Sequence, residues 1–240
     1  IHEGERGRMI PGAEGTPLMT ISVDEFLADI PLLHSWDKGK TWSTGGFVAR
    51  HLQPLRELIE SRKLRRIIET GCGASTILFL LLDAESVVSI DPSEDVYGRV
   101  KAYCETKRIS LDNHEMHLER SELVLPDVAR DPARQFDLAL IDGDHAWPTV
   151  FVDFCYCNMM LPKGGFVMID DVQLHSVAEL ARLLAEEPGF ALRLDLGKAL
   201  LFEKLDRRVH PKGWMAQPYI LRLSERRPIV QRLKAAIRGR

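Results

Sequence analysis

From residue 65 onward the chain alternates short apolar runs rich in Ile and Val with longer segments of mixed apolar and polar character. The short runs, residues 65–70, 86–91, 115–119, 136–142 and 165–170, have the length and β-branched content of strands. Helix-length segments at 75–83, 93–107, 121–130 and 147–160 separate them, and another at 174–187 follows the last. Nearly continuous apolar strands alternating with helices predict a parallel sheet covered on both faces. Two further strands, 190–194 and 199–202, have only residues 195–198 between them, too few for a parallel crossover, so they pair as an antiparallel hairpin. The pattern therefore predicts an α/β fold, a doubly wound mixed sheet of seven strands with an antiparallel last strand. Helices at 23–33 and 47–62 precede it, joined by a loop carrying Trp36, Trp42, Gly45 and Gly46. The expected organisation is an N-terminal segment and helical cover (1–46), the sheet domain (47–206) and a C-terminal extension (207–240).

Composition narrows the class. With 240 residues and 45% hydrophobic content the chain can bury a substantial core. No apolar run approaches the roughly 18 residues of a membrane-spanning helix. Residues 1–20 carry Gly, Pro and charge rather than the apolar centre of a secretory signal. Cys72, Cys104, Cys155 and Cys157 form no C-x-x-C pair, so packing in a reducing, cytoplasmic setting is expected. The net charge of −3 conceals a division: residues 207–240 hold ten Lys and Arg against Glu225 alone, a net +9 that leaves −12 on residues 1–206. Ile229, Leu233 and Ile237, spaced by four, give residues 229–237 an apolar helical face beside a basic one. Such a helix suits docking on a partner subunit of a homo-oligomer, on its own domain, or on an anionic membrane surface. Nucleic acid is disfavoured, because no aromatic platform accompanies the charge.

In sheets of this kind ligands sit beyond the carboxyl ends of the strands. The first strand ends in Glu69-Thr70-Gly71-Cys72-Gly73-Ala74-Ser75-Thr76, where glycines permit a sharp turn into a helix N-terminus. The third glycine of a dinucleotide fingerprint is missing at Thr76, and Glu69 suits a cationic amino group better than a pyrophosphate. Both features argue against a nicotinamide-dependent oxidoreductase. Asp91 ends the second strand 20 residues after Gly71, where an acid accepts hydrogen bonds from the ribose of an adenosine-bearing ligand. Each feature alone is often only a turn or a helix cap. Together, at this spacing, they predict a nucleoside site, in an enzyme or in a non-catalytic nucleotide-binding module tethered by its basic tail.

On these residues, with Asp137-Leu138-Ala139-Leu140-Ile141-Asp142-Gly143-Asp144-His145, the chain resembles the class I S-adenosylmethionine-dependent methyltransferases over residues 47–204. The resemblance implies their Rossmann-like fold and S-adenosylmethionine as cofactor. It places Gly71 and Gly73 under the methionine part, with Cys72, Ser75 and Thr76 in the same loop and Asp142 beside the methyl donor. Glu69 would help hold the amino group, Asp91 the ribose and Ser121 the adenine.

In that fold the fourth and fifth strands are neighbours, so Asp142, Asp170 and Asp171 gather at one place. Clustered carboxylates are neutralised by protons or by a cation, and an all-oxygen set favours Mg²⁺, or Mn²⁺ or Ca²⁺. His145, three residues after Asp142, is placed to remove a hydroxyl proton. The arrangement, with the turn and strand at 161–171, resembles the metal-dependent O-methyltransferases of the catechol and macrolide-sugar types. The expected activity is thus methylation of a hydroxyl on a small molecule or sugar, with a metal-independent methyltransferase as the alternative. No acceptor-binding insertion is recognisable, which leaves the acceptor class open. His114 and His117 are expected on the surface.

Overall fold

The computed structural model describes residues 21–35, 46–208 and 213–225. Seven strands, β1 (Arg66–Thr70), β2 (Ser86–Ile90), β3 (His114–His117), β4 (Leu138–Ile141), β5 (Phe166–Ile169), β6 (Phe190–Asp195) and β7 (Leu200–Lys204), form one sheet in the order β3-β2-β1-β4-β5-β7-β6. The first five are parallel, and β7 runs antiparallel between β5 and β6. The predicted strands and hairpin are all present, with ends displaced by up to two residues.

Residue alternation along the central strands assigns the two cores. On β4, Leu138 and Leu140 face one cluster and Ala139 and Ile141 the other, and Phe166 and Met168 oppose Val167 and Ile169 on β5 in the same way. The first cluster is closed by α1 (Val23–Ser35), α2 (Ala49–Arg62), α3 (Ala74–Leu81) and α4 (Glu94–Lys107). The second is closed by α5 (Ser121–Val128), α6 (Thr149–Met160) and α7 (His175–Glu186). Helix α3 is apolar on nearly every side because seven of its eight residues are buried. Helix α4 starts at Ser93, whose hydroxyl accepts the Val96 N–H at 3.2 Å, with Glu94 and Asp95 in its first turn. Cys104 and Cys157 are buried, one in each cluster, and all four cysteines are unpaired thiols.

Beyond β7 a 3-10 turn, Trp214–Ala216, leads into α8 (Pro218–Glu225), a helix the sequence pattern did not single out. It is joined to α7 by Tyr219 on Glu179 (2.9 Å) and Arg222 on Glu186 (2.6 Å). The expected helix at 229–237 and the loop with Trp36, Trp42 and Gly45 lie outside the described residues. Among the described residues no helix is long and apolar enough to cross a membrane.

One contact sets how closely the strand ends approach. Gly71 has φ +86° and donates its N–H to the Ile90 carbonyl at 2.8 Å, while Asp142 donates its N–H to Thr70 at 3.0 Å. A Cβ on Gly71 would lie 2.3 Å from the Asp142 carbonyl oxygen. Gly71→Ala is therefore expected to cost about 2 kcal/mol or more, through strained backbone and displacement of the Asp142 loop. Gly98→Ala, on the exposed side of α4 with nothing within 4 Å of the new methyl, should instead be neutral or stabilise by about 0.5 kcal/mol. Urea unfolding midpoints at constant m check both signs.

Candidate active site

A cavity of about 500 Å³ opens at the carboxyl ends of β1, β2 and β4, within the range of small-molecule sites. Gly71, Asp91, Ser121 and Asp142 all line it, together with Gly143. The structure thus brings together four residues expected at a nucleoside site from four separate strand-end segments, those after β1, β2, β3 and β4. Asp91 is fixed by two backbone donors, Ser93 N–H at 2.8 Å and Cys72 N–H at 3.2 Å. Burial raises its carboxyl above the usual range, and these two bonds pull it back. The Cys72 thiol is pushed up by burial and by the Asp91 and Glu69 carboxylates, so it is no nucleophile.

Glu69 is not placed as expected. Its side chain is buried, with Oε1 accepting from the Thr76 and Ser89 hydroxyls and Oε2 from Ser75, the last at 2.8 Å. With both oxygens engaged inside the protein, it is not among the residues lining the cavity, where a ligand's amino group was expected to meet it. Ser75 and Thr76 are likewise turned inward. Thr76 Oγ1 also accepts the Gly73 N–H at 2.9 Å, so the network clamps the glycine turn onto β1 and β2. Burial pushes Glu69 up to about 7, against the three hydroxyl bonds that favour its ionised form. His114 extends this network, with Nε2 2.9 Å from Ser89 Oγ, and burial lowers it to about 4. It is a half-buried part of the clamp rather than the surface residue expected, and His117 pairs with Glu115 at 2.7 Å.

At the ends of β4 and β5 the three acids do gather, but not as the expected ligand trio. Asp170 is fully buried, and the Lys198 ammonium, from the β6–β7 turn, lies 2.6 Å from its Oδ2. The same ammonium is 3.4 Å from Asp171 Oδ1. His145 Nε2 stands 3.2 Å from Asp171 Oδ2 and 3.7 Å from Asp142 Oδ1. Burial, then the Asp170 and Asp171 charges, raise Asp142 well above the carboxylate range, with Lys198 acting the other way. Burial also raises Asp170, which Lys198 partly offsets. Asp171 adopts φ +53°, a left-handed conformation that Asp tolerates better than most residues.

The groups whose donor atoms converge within 4.8 Å are Asp142, His145 and Asp171. This set does not suit the expected Mg²⁺, which prefers oxygen to imidazole. A cation bound there would share Asp171 with an ammonium and would occupy the imidazole expected to act as base. Two residues with a part in the site were missed in the sequence. Lys198 read only as a turn residue, with no periodicity to mark it. Asp153, wholly buried on α6 beneath Gly143, has its carboxyl pushed up to about 6 by burial, opposed by the neighbouring Ser121 and Thr70 hydroxyls.

Residues 68–172 match the family model described as a methyltransferase domain, a span that includes the Gly71 turn, Asp91, Asp142, His145 and both β5 acids. No curated protein matches the chain in sequence. Among solved structures, the O-methyltransferase TomG from Streptomyces achromogenes, involved in tomaymycin synthesis and in complex with SAM, is similar with a TM-score of 0.62 at 19% identity, over 79% of this chain and 93% of that one. The O-methyltransferase from Bacillus cereus in complex with SAH gives 0.61 at 16% identity, over 76% and 91%. The SAH-bound methyltransferase PaMTH1 of Podospora anserina gives 0.60 at 14% identity, over 84% and 100%. The structural likenesses speak for the fold, and the family match places a methyltransferase domain over residues 68–172 of it.

Proposed function

We propose that the chain binds S-adenosylmethionine in the cavity between Gly71, Asp91 and Ser121 and methylates a hydroxyl oxygen of a small-molecule acceptor. The observation that carries this reading is the continuity of one cavity wall from Asp91 and Ser121 to Asp142 and Gly143, with His145 immediately beyond. Two of the similar structures, TomG and the Bacillus cereus enzyme, are O-methyltransferases holding SAM or SAH, which supports both the cofactor and the acceptor atom.

Bound S-adenosylmethionine supplies a methyl group on a sulfonium, an electrophile that needs an oxygen nucleophile in line with it. Asp91 would accept hydrogen bonds from the ribose, and the Gly71 turn keeps side chains away from the cofactor. Ser121, held at the start of α5, would border the adenine. A neutral hydroxyl is a weak nucleophile, so its proton must leave as the O–C bond forms. His145 takes that proton. A neutral His145 that donates Nε2–H to Asp171 keeps Nδ1 as the acceptor, and the imidazolium that results lies between Asp171 and Asp142. The reading gives no step to a divalent cation.

Three outcomes check it. Asp91→Ala should weaken S-adenosylmethionine binding by about tenfold or more in calorimetry, the size of a lost charge-assisted hydrogen bond; wild-type protein with no binding at millimolar ligand would sink the reading. His145→Ala should lower turnover by about 10²-fold or more while leaving cofactor affinity within a small factor. Glu69 has a folded pKa raised above its unfolded value of 4.5 to about 7, so the native chain holds more protons than the unfolded one in that window. Its contribution to stability is therefore full below pH 4.5 and declines as pH rises towards 7. Glu69→Gln should remove that decline, read as urea stability from pH 4.5 to 8, without abolishing cofactor binding.

A further inference from the structure

The β6–β7 turn delivers a single ammonium into the carboxylate cluster, and several separate features hold it there. Gly197, at φ +80°, donates its N–H to Asp195 Oδ1 at 2.8 Å, and Leu196 N–H reaches the Ala199 carbonyl at 2.9 Å, which shapes the turn. The Lys198 carbonyl accepts the Val172 N–H at 2.8 Å, tying the turn to the segment directly after Asp170 and Asp171. The ammonium then lies 4.8 Å from the centre of the Phe47 ring, itself buried at the approach to α2. A side chain fixed at its backbone, covered by an aromatic face and placed against two carboxylates is preorganised as a counter-ion.

We propose that Lys198 is the resident cation of the Asp142, Asp170 and Asp171 cluster and that methyl transfer in this chain proceeds without a divalent metal. The ammonium occupies the ground that a metal bridging Asp170 and Asp171 would need. It does so without engaging His145, whose imidazole remains available for the acceptor's proton. Lys198 is a positioning residue in this scheme. It neutralises Asp170 and Asp171, and Asp171 in turn orients His145. Burial opposes its charge, but the three acids outweigh burial and hold the lysine above its ordinary value.

The catalytic meaning of this proposal rests on the methyl-transfer reading, whereas the cation itself is tested without turnover. Mn²⁺ binding to the full chain is measured by electron paramagnetic resonance and by thermal shift, for wild type, Lys198→Met and Lys198→Arg. The expected result is no site-bound Mn²⁺ in wild type or Lys198→Arg at millimolar metal. Lys198→Met should gain Mn²⁺ affinity by at least about tenfold, because the acids lose their internal cation. Should Lys198→Met fail to fold, Lys198→Gln takes its place with the same expectation. Once an acceptor is found, wild-type turnover should survive EDTA. A wild-type Mn²⁺ site that disappears in Asp171→Asn, an unchanged Mn²⁺ affinity on removing the lysine charge, or loss of turnover in EDTA would each overturn the proposal. Failure to bind S-adenosylmethionine would instead remove the methyl-transfer reading and leave the metal measurements standing.

Discussion

Four strands of one sheet end in acidic side chains at the same edge, and a carboxylate taken from water is costly unless donors replace the water. The local structure at that edge follows from how each acid is satisfied. Glu69 takes three hydroxyls, two of them from the first turn of α3, which fixes that helix against β1 and β2. Asp91 takes two backbone N–H groups, one from the glycine turn and one from the approach to α4. Asp170 takes a lysine from the far end of the domain, which brings the antiparallel hairpin onto the end of β5.

The manner of compensation separates structural acids from those open to chemistry. Glu69 is satisfied by hydroxyls from within, which ties the turn to β1 and β2 away from the cavity lining. Asp91 keeps acceptor capacity towards the cavity after its two amide bonds. Asp142 and Asp171 both flank the His145 imidazole, and Asp171 is shared with the Lys198 ammonium. A buried carboxylate with saturated oxygens and a half-buried one facing a histidine look alike in a sequence. Their environments give them different work.

Much of the fold was legible because its signals are local and periodic. The β-branched runs at residues 67–68 and 87–88, the four apolar residues of β4 and the short link before β7 led to a mixed sheet with the right connections. The Gly71 turn and Asp91 were legible for a similar reason: a positive φ and a strand-end acid are written in residue type and spacing. The inward turn of the Glu69 side chain was not legible, because the motif reports where its backbone lies and not which way the side chain points. The hydroxyls that capture it come from α3 and β2, seven and 20 residues away. Helix α8 was missed because its partners are Glu179 and Glu186 on α7, contacts that leave no period in the chain.

The sequence by itself determined that acids stand at the ends of β1, β2, β4 and β5 and that a glycine turn and a histidine stand beside them, since those placements follow from strand length and alternation. Only the tertiary structure decided what neutralises them. The positive charge nearest to Asp170 is 28 residues away in the chain, in a turn whose composition announces nothing. It reaches the acid because β7 inserts between β5 and β6 and carries the turn to the carboxyl edge. Compensation of buried charge acts through space, between groups that a linear pattern does not connect, and that is why the cation of this site became visible only once the chain was folded.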